Sequence, residues 1–202
     1  MTNAPKRFTE LIVEARKRGA TKAKVIPVRS IVVDERVRLK CLVPLCDNYG
    51  KHLLCPPNVM SIDEFRRTLK SFKHALLLQI ESDEDSLDKS TRHLDGDLCT
   101  DLEKATGTRR FEKKLMQLVE AMEAFAFKKG FYLAAGLGGS ECVLCKICVG
   151  QGSSEPCRHP FRARPSSQAL GIDVIRTCER AGMPIRLSSD RKVRWTGIVL
   201  LD

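Results

Sequence analysis

The sequence has few aromatic residues and no long apolar stretch. Phe, Tyr and Trp make up 5% of its 202 residues, and no apolar run approaches the length of about 20 residues that spans a bilayer. The opening residues, MTNAPKRFTE, lack the apolar core of a secretory signal peptide. No internal repeat of fixed period is present. We therefore expect a cytoplasmic protein with no membrane span.

Basic residues outnumber acidic residues, and the excess is uneven. Lys and Arg number 35 against 25 Asp and Glu, a formal charge of +10, yet nine of the acids fall within residues 81–103. We interpret this stretch as an acidic surface insertion. A basic surface attracts nucleic acid, an acidic protein or an anionic ligand. Because no basic helix with interleaved aromatics and no nucleic-acid motif is present, the sequence favours an acidic redox partner protein or an anionic small molecule.

Helical and strand patterns alternate along the chain, which predicts one α/β domain over residues 1–202. Ser61 with Glu64 three residues later is a capping box that marks one helix start. We expect a single mixed sheet covered by helices, with the functional loops at strand ends. The predicted strands lie near residues 23–33, 75–80, 131–135 and 195–201, and the predicted helices near 9–18, 62–71, 109–129 and 167–181.

Cysteine is abundant, and its distribution is the main chemical signal. Seven of the nine cysteines fall in two loops, residues 41–58 and 136–165. In a reducing compartment, clustered cysteines bind metal or carry out redox chemistry more often than they form disulfides, and an odd number fits a disulfide framework poorly. Of the other two, Cys99 lies in the acidic stretch and Cys178 lies at core spacing on a helix.

The second loop has the spacing of an iron–sulfur site. It contains Cys142-x-x-Cys145-x-x-Cys148, followed by Cys157-Arg-His-Pro160. Bacterial ferredoxins use the same three-cysteine run with a nearer fourth cysteine before proline. Structural zinc sites more often use two separated Cys-x-x-Cys pairs. The pattern therefore predicts one closed [4Fe-4S] cluster on these four thiolates, with zinc as the alternative.

Other residues of the second loop have roles beside the cluster. Gly136-Leu-Gly138 resembles the start of a dinucleotide-binding fingerprint, but Glu141 replaces its third glycine. We instead expect the loop glycines to let the backbone approach the cluster. His159 either donates a hydrogen bond to a cluster sulfur or caps the turn. We expect a group of nearby arginines to dock the acidic partner: Arg158, Arg162 and Arg164.

The first loop supplies three cysteines, Cys41, Cys46 and Cys55, the last one before a double proline. Three interpretations stay open. The loop holds a second cluster with one position left for substrate, His52 or Asp47; or His52 completes a Cys₃His zinc site; or the cysteines only pack. In the first case Lys40 and Lys51, which flank the loop, would attract an anion.

The motifs of both loops, in order, resemble those of the domain of unknown function 2284, a family of predicted metal-binding proteins. The resemblance runs from about Lys22 to the C-terminus and rests on Cys41-x4-Cys46, Tyr49-Gly-Lys, Cys55-Pro-Pro, Gly139, the second-loop cysteines and Gly171-Ile-Asp-Val. It implies a prokaryotic cytoplasmic protein that binds iron–sulfur clusters, and it supplies no reaction.

Two classes of function follow. The first is an iron–sulfur protein for electron transfer or small-molecule redox chemistry, with one closed [4Fe-4S] cluster and a second cluster that has an open site. The second is a zinc-stabilised interaction or adaptor module with a basic face for its partner. The sequence assigns no catalytic residue to either class.

Overall fold

The computed structural model describes residues 4–81, 108–150, 153–185 and 193–202. Within these ranges the chain forms five α-helices and four strands, with short 3-10 turns at Val28–Ser30, Glu35–Arg38 and Gln168–Leu170. The helices are α1 (Ala4–Lys17), α2 (Leu39–Leu42), α3 (Ile62–Leu69), α4 (Thr108–Lys128) and α5 (Val174–Arg180). The strands are β1 (Lys22–Pro27), β2 (His74–Glu81), β3 (Ala135–Leu137) and β4 (Arg194–Leu201).

The four strands form one sheet in the order β1-β2-β4-β3. Every neighbouring pair of strands is antiparallel. In the central strand β2, Leu77 lies opposite Lys24 of β1 on one side and Ile198 of β4 on the other. The α/β class and the single sheet are confirmed. The expected mixture of parallel and antiparallel pairs is wrong, because helix–strand alternation does not fix the direction in which each strand re-enters the sheet.

Both faces of the sheet are buried, and alternate residues of each strand belong to different cores. On β2, Leu76, Leu78 and Ile80 join the cluster built with α1 and α4. Their neighbours Ala75 and Leu77 join the cluster built with α3 and the residues around α5. Because burial on both faces removes the need for polar alternation, β2 is an almost continuous apolar run.

Helix α3 begins as its sequence predicts. The Ser61 side chain accepts a hydrogen bond from the Glu64 backbone, and the Glu64 carboxylate accepts one from the Ser61 backbone. Helix α4 also matches its predicted span within one residue at each end.

Four elements differ from the prediction. Helix α1 begins at Ala4 and not near residue 9. The first strand, expected over 23–33, ends at Pro27, because the chain turns at Val28–Ser30, where the Ile31 amide bonds back to the Val28 carbonyl.

The third strand begins at Ala135, because Phe131 turns into the core and the Ala134 amide bonds back to its carbonyl. The helix expected over 167–181 is interrupted by Gly171, whose φ of 80° is left-handed. A 3-10 turn precedes Gly171, and α5 begins at Val174 with Asp173 as its cap.

The acidic stretch, residues 81–103, lies almost wholly outside the described residues, and Cys99 lies there with it. Its first residue, Glu81, ends β2 and pairs with Arg194 of β4 at 2.8 Å. Among the helices that the structure describes, none combines the length and the apolar character needed to cross a membrane.

One segment, residues 166–173, forms a common base for both cysteine loops. At its start, Gly138 donates to the Pro165 carbonyl and accepts from the Ser167 amide, which closes the second loop. At its end, Asp34 donates to the Gly171 carbonyl and Asp173 donates to the Val32 carbonyl, where the chain enters the first loop. The fold therefore brings the two loops to one region of the molecule.

Candidate metal centre

The four cysteines of the second loop are free thiols that are partly exposed. They lie on irregular backbone after β3, so no helix or strand fixes their side chains. Arg158 Nη1 donates to the Ile147 carbonyl at 3.0 Å. This bond ties the Cys157 segment to the Cys142–148 run.

One of these sulfurs accepts a backbone hydrogen bond, from the His159 amide, which lies 3.4 Å from Cys157 Sγ. Burial raises the pKa of the Cys142 thiol, while the backbone N–H of Leu144 acts to lower the pKa. The other three thiols of the loop lie near enough to raise the pKa of Cys142 further: Cys157, Cys145 and Cys148. N–H groups directed at cysteine sulfur stabilise thiolates and tune iron–sulfur clusters.

The first loop buries its last cysteine deepest. Cys55 is 8% exposed, and burial raises its pKa to about 12, with a contribution from the negative charges of Glu141 and neighbouring thiols. Cys41 lies on α2, where burial and the charge of Cys46 raise its pKa while Arg38 lowers it. The three cysteines of this loop therefore share one electrostatic environment.

The two loops also touch each other. Gly150 is buried with φ of 74°, and a Cβ at this position would lie 2.6 Å from the Lys51 carbonyl oxygen. The charge of Cys148, from the second loop, contributes to the raised pKa of Cys55 in the first. The cysteine thiols of the first loop therefore lie next to those of the second.

In the described part of the chain, no group of three or more His, Cys, Asp or Glu side chains is close enough to hold a metal ion. To bind a metal ion, the thiols of a loop must move closer to one another. The donor set itself fits a soft metal, because thiolates select iron–sulfur clusters and zinc. The N–H···S bond at Cys157 fits the same assignment, as does the Leu144 N–H that lowers the pKa of Cys142.

His52 is the non-thiol group best placed in the first loop. Its Nδ1 atom is buried and has no hydrogen-bond partner among the described residues, and its backbone carbonyl accepts from Asn58 Nδ2 and the Cys55 amide. A buried imidazole nitrogen without a partner is unfavourable unless something binds it. His159, in the second loop, contacts Cys157 through its backbone amide, and its carbonyl accepts from Arg162 and Ala163, so it also closes the turn.

We expected the glycines of the second loop to let the backbone approach a cluster. The glycines around β3 instead allow close packing against a helix. A Cβ on Gly136 would lie 2.5 Å from Glu123 Oε2, and one on Gly139 would lie 2.7 Å from Leu115 Cδ2. Glu123 and Leu115 belong to α4. These two glycines let α4 lie close against the sheet edge, and Gly150 is the one that contacts the other cysteine loop.

The arginines beside Cys157 are only partly available to a partner. Arg164 forms two hydrogen bonds with Glu123, at 2.6 and 3.0 Å, and both side chains are mostly buried. Arg162 pairs with Glu120 at 3.2 Å. Arg158 remains exposed, with a loose contact of 3.7 Å to Glu155. The expected docking surface of three arginines is therefore reduced to Arg158, because the other two are paired within the chain.

Cys178 is a core residue, as its helical spacing predicts. It is fully buried, and its sulfur contacts Gln79 Nε2 at 3.6 Å and Thr196 Oγ1 at 3.8 Å. Burial raises the pKa of this thiol. Its sulfur lies against β2 and β4, the two central strands of the sheet.

A cleft lies beside the first loop, and the sequence carries no signal for it. The cleft holds about 400 Å³ and is lined by residues that include Arg38, Cys41, Tyr49 and Glu64. Arg38 is fixed by the Ala169 carbonyl, 131 residues away along the chain. No local pattern signals a contact of that separation.

The comparisons with known proteins agree with the cysteine motifs. The family model described as predicted metal-binding protein (DUF2284) matches residues 24–201. No curated protein matches the chain, and no solved structure matches it. The matched region contains both cysteine loops, the segment that joins them and the whole of β2, β3 and β4. The chain belongs to the family of predicted metal-binding proteins known as the domain of unknown function 2284.

Proposed function

We propose that the protein is an iron–sulfur protein that acts in electron transfer or small-molecule redox chemistry. Cys142, Cys145, Cys148 and Cys157 would hold a closed [4Fe-4S] cluster. Cys41, Cys46 and Cys55 would hold a second centre with one position not filled by cysteine. The family description supports metal binding, and the choice of iron–sulfur is ours.

The observation that carries this proposal is the presence of backbone N–H groups beside two thiols of the second loop. The His159 amide donates to Cys157 Sγ at 3.4 Å, and the Leu144 amide acts to lower the pKa of Cys142. Such bonds favour the thiolate form and, in cluster proteins, set the reduction potential. When bound, a cluster would supply reversible one-electron transfer.

The protein would place the two metal centres next to each other and limit the access of water to them. Gly150 holds the second loop against Lys51 of the first, so that the two thiol groups lie next to each other. Cys55 is buried, which limits water at that ligand. Neighbouring centres favour rapid electron exchange between them. A cytoplasmic location and an acidic redox partner or anionic small molecule complete the proposal.

The test is metal and sulfide analysis of anaerobically purified full chain. We expect iron with acid-labile sulfide, and a broad visible absorption that bleaches on reduction. Cys145→Ala should remove about four irons per chain, because a closed cluster needs four thiolates. Full iron and sulfide content in this variant would contradict the assignment.

Cys178→Ala is the matched control. It removes one thiol from the chain, and this thiol lies in the core, with hydrogen bonds to Gln79 and Thr196. We expect it to lower stability by creating a small cavity, with iron and sulfide content per folded chain unchanged. Iron loss in this control as well would show that the Cys145 result reflects unfolding.

A zinc-stabilised interaction module is the second candidate, and the first loop favours it in two ways. His52 Nδ1 is buried and no residue in the described part of the chain binds it, which suits a Cys₃His zinc site. The apolar side chains of Leu42, Val43 and Leu45 are exposed, as in a surface that binds another protein. Colourless protein with stoichiometric zinc, which His52→Ala releases, would support this candidate.

A further inference from the structure

The cleft beside the first cysteine loop has two charged groups of opposite sign in its wall. It holds about 400 Å³, within the size range of small-molecule sites. Arg38 and Glu64 provide the charges, and Leu42, Val59, Pro56 and Pro57 provide apolar surface.

Arg38 is a fixed cation with spare hydrogen-bonding capacity. Its Nε and Nη2 donate to the Ala169 carbonyl, and Nη2 also donates to the Met60 carbonyl. Carbonyls are neutral, and no described carboxylate lies within ion-pair distance of this guanidinium. Its Nη1 has no hydrogen bond to any described residue. Both the charge and the two N–H groups of Nη1 are free for a ligand.

Glu64 is the corresponding anion. Its Oε2 accepts from the Ser61 amide and hydroxyl, each at 2.7 Å, and Oε1 has no partner in the described residues. These hydrogen bonds hold the pKa of the Glu64 carboxyl below its ordinary value of 4.5. The group is therefore ionised at neutral pH.

A single peptide unit holds the two charges apart. Arg38 binds the carbonyl oxygen of Met60, and Glu64 binds the amide of Ser61, which belongs to the same peptide bond. In a trans peptide these two atoms point in opposite directions. Arg38 and Glu64 consequently form no ion pair with each other, and each charge remains open to a ligand that spans both.

We infer that this cleft binds a free α-amino acid with an apolar side chain. The ligand carboxylate pairs with Arg38, its ammonium pairs with Glu64, and its side chain lies along the apolar wall. Cys41 lines the same cleft, so the bound side chain contacts a proposed metal ligand. This last contact rests on the proposed function, whereas the binding of the amino acid does not.

The test is calorimetric titration of the anaerobically purified full chain with L-methionine, an amino acid with an unbranched apolar side chain. We expect saturable binding of one molecule per chain. N-acetyl-L-methionine lacks the ammonium, and the corresponding decarboxylated amine lacks the carboxylate. Each analogue should bind at least about tenfold more weakly. Equal binding of either analogue, or no saturable binding, would overturn the inference.

Glu64→Gln tests the role of the Glu64 charge without disrupting the start of α3. Glutamine keeps an oxygen for the Ser61 amide, so the capping box survives, but L-methionine should bind about tenfold more weakly. Asp63→Asn is the control, since Asp63 lies in the same helix and does not line the cleft. An equal loss in both variants would refute a role for the Glu64 charge. Metal content is measured on each sample, because amino-acid binding by a chain without iron would retain this inference while rejecting the proposed function.

Discussion

At the scale of single residues, Gly150 connects the two candidate metal sites. It is buried, its φ of 74° is one that side chains rarely adopt, and its α-carbon faces the Lys51 carbonyl of the other loop. A side chain here meets both a conformational and a steric obstacle. The proximity of Cys148 and Cys55 depends on this contact, because Cys148 lies two residues away.

Gly150→Ala should therefore separate the loops. We expect a stability loss of roughly 1–3 kcal/mol and reduced metal content, measured by urea unfolding and by metal analysis. The control is Gly138→Ala, in the same segment, where the nearest atoms to an added Cβ are 3.6 and 3.8 Å away. If the two variants behave alike, the contact between the loops does not support the metal sites.

At the scale of elements, Glu123 of α4 links three parts of the fold. Its carboxylate binds Arg164 with two hydrogen bonds and accepts a third from the Gly136 amide of β3. It therefore fixes the chain on both sides of the four cysteines of the second loop. A mostly buried, hydrogen-bonded pair of this kind contributes more than an exposed one.

Glu123→Gln tests this link. It leaves the Arg164 guanidinium mostly buried without its anion, so we expect a loss of roughly 1–3 kcal/mol in urea unfolding. Glu120→Gln, one turn earlier on α4, breaks the more exposed pair with Arg162 and should cost less than about 1 kcal/mol. A larger loss for Glu120→Gln would show that burial does not rank these two pairs.

The elements that the sequence predicts correctly are those whose bounds depend on residues close together in the chain. The span of α4 and the cap of α3 follow from periodicity and from the Ser61 and Glu64 pair, which are local. The break at Gly171 depends instead on packing against Ile62 and on bonds to residues near 32–34. The cysteine spacing identified the candidate ligands. The contact between the loops and the Arg38 cleft depends on partners far along the chain.

At the scale of the whole molecule, the formal charge of +10 overstates the basic surface near the second loop. Arg162 and Arg164 are paired with carboxylates of α4. Arg158 and Lys146 are exposed beside Cys157 and Cys145. An acidic partner would thus meet a smaller positive patch than the sequence suggests, centred on the proposed cluster.

Arg158→Glu should slow reduction of the protein by a reduced acidic ferredoxin at low salt, measured by stopped-flow absorbance. Opposite charges at the rim of an interface raise the association rate, and salt screens them. We expect a decrease of about threefold to tenfold that shrinks as ionic strength rises. The substitution keeps the four cysteines of the second loop but removes the Arg158 hydrogen bond to the Ile147 carbonyl, so iron is measured on the variant and the rates are compared per cluster.

Arg180→Glu provides the control for this charge change. Arg180 ends α5, next to Ala181, whose carbonyl accepts from Lys24 of β1. Because β1 and β3 are opposite edges of the sheet, this site lies away from the second loop, and the rate of reduction should stay near that of the unmodified chain. Equal slowing in both variants would mean that net charge, and not the patch around Arg158, guides the partner.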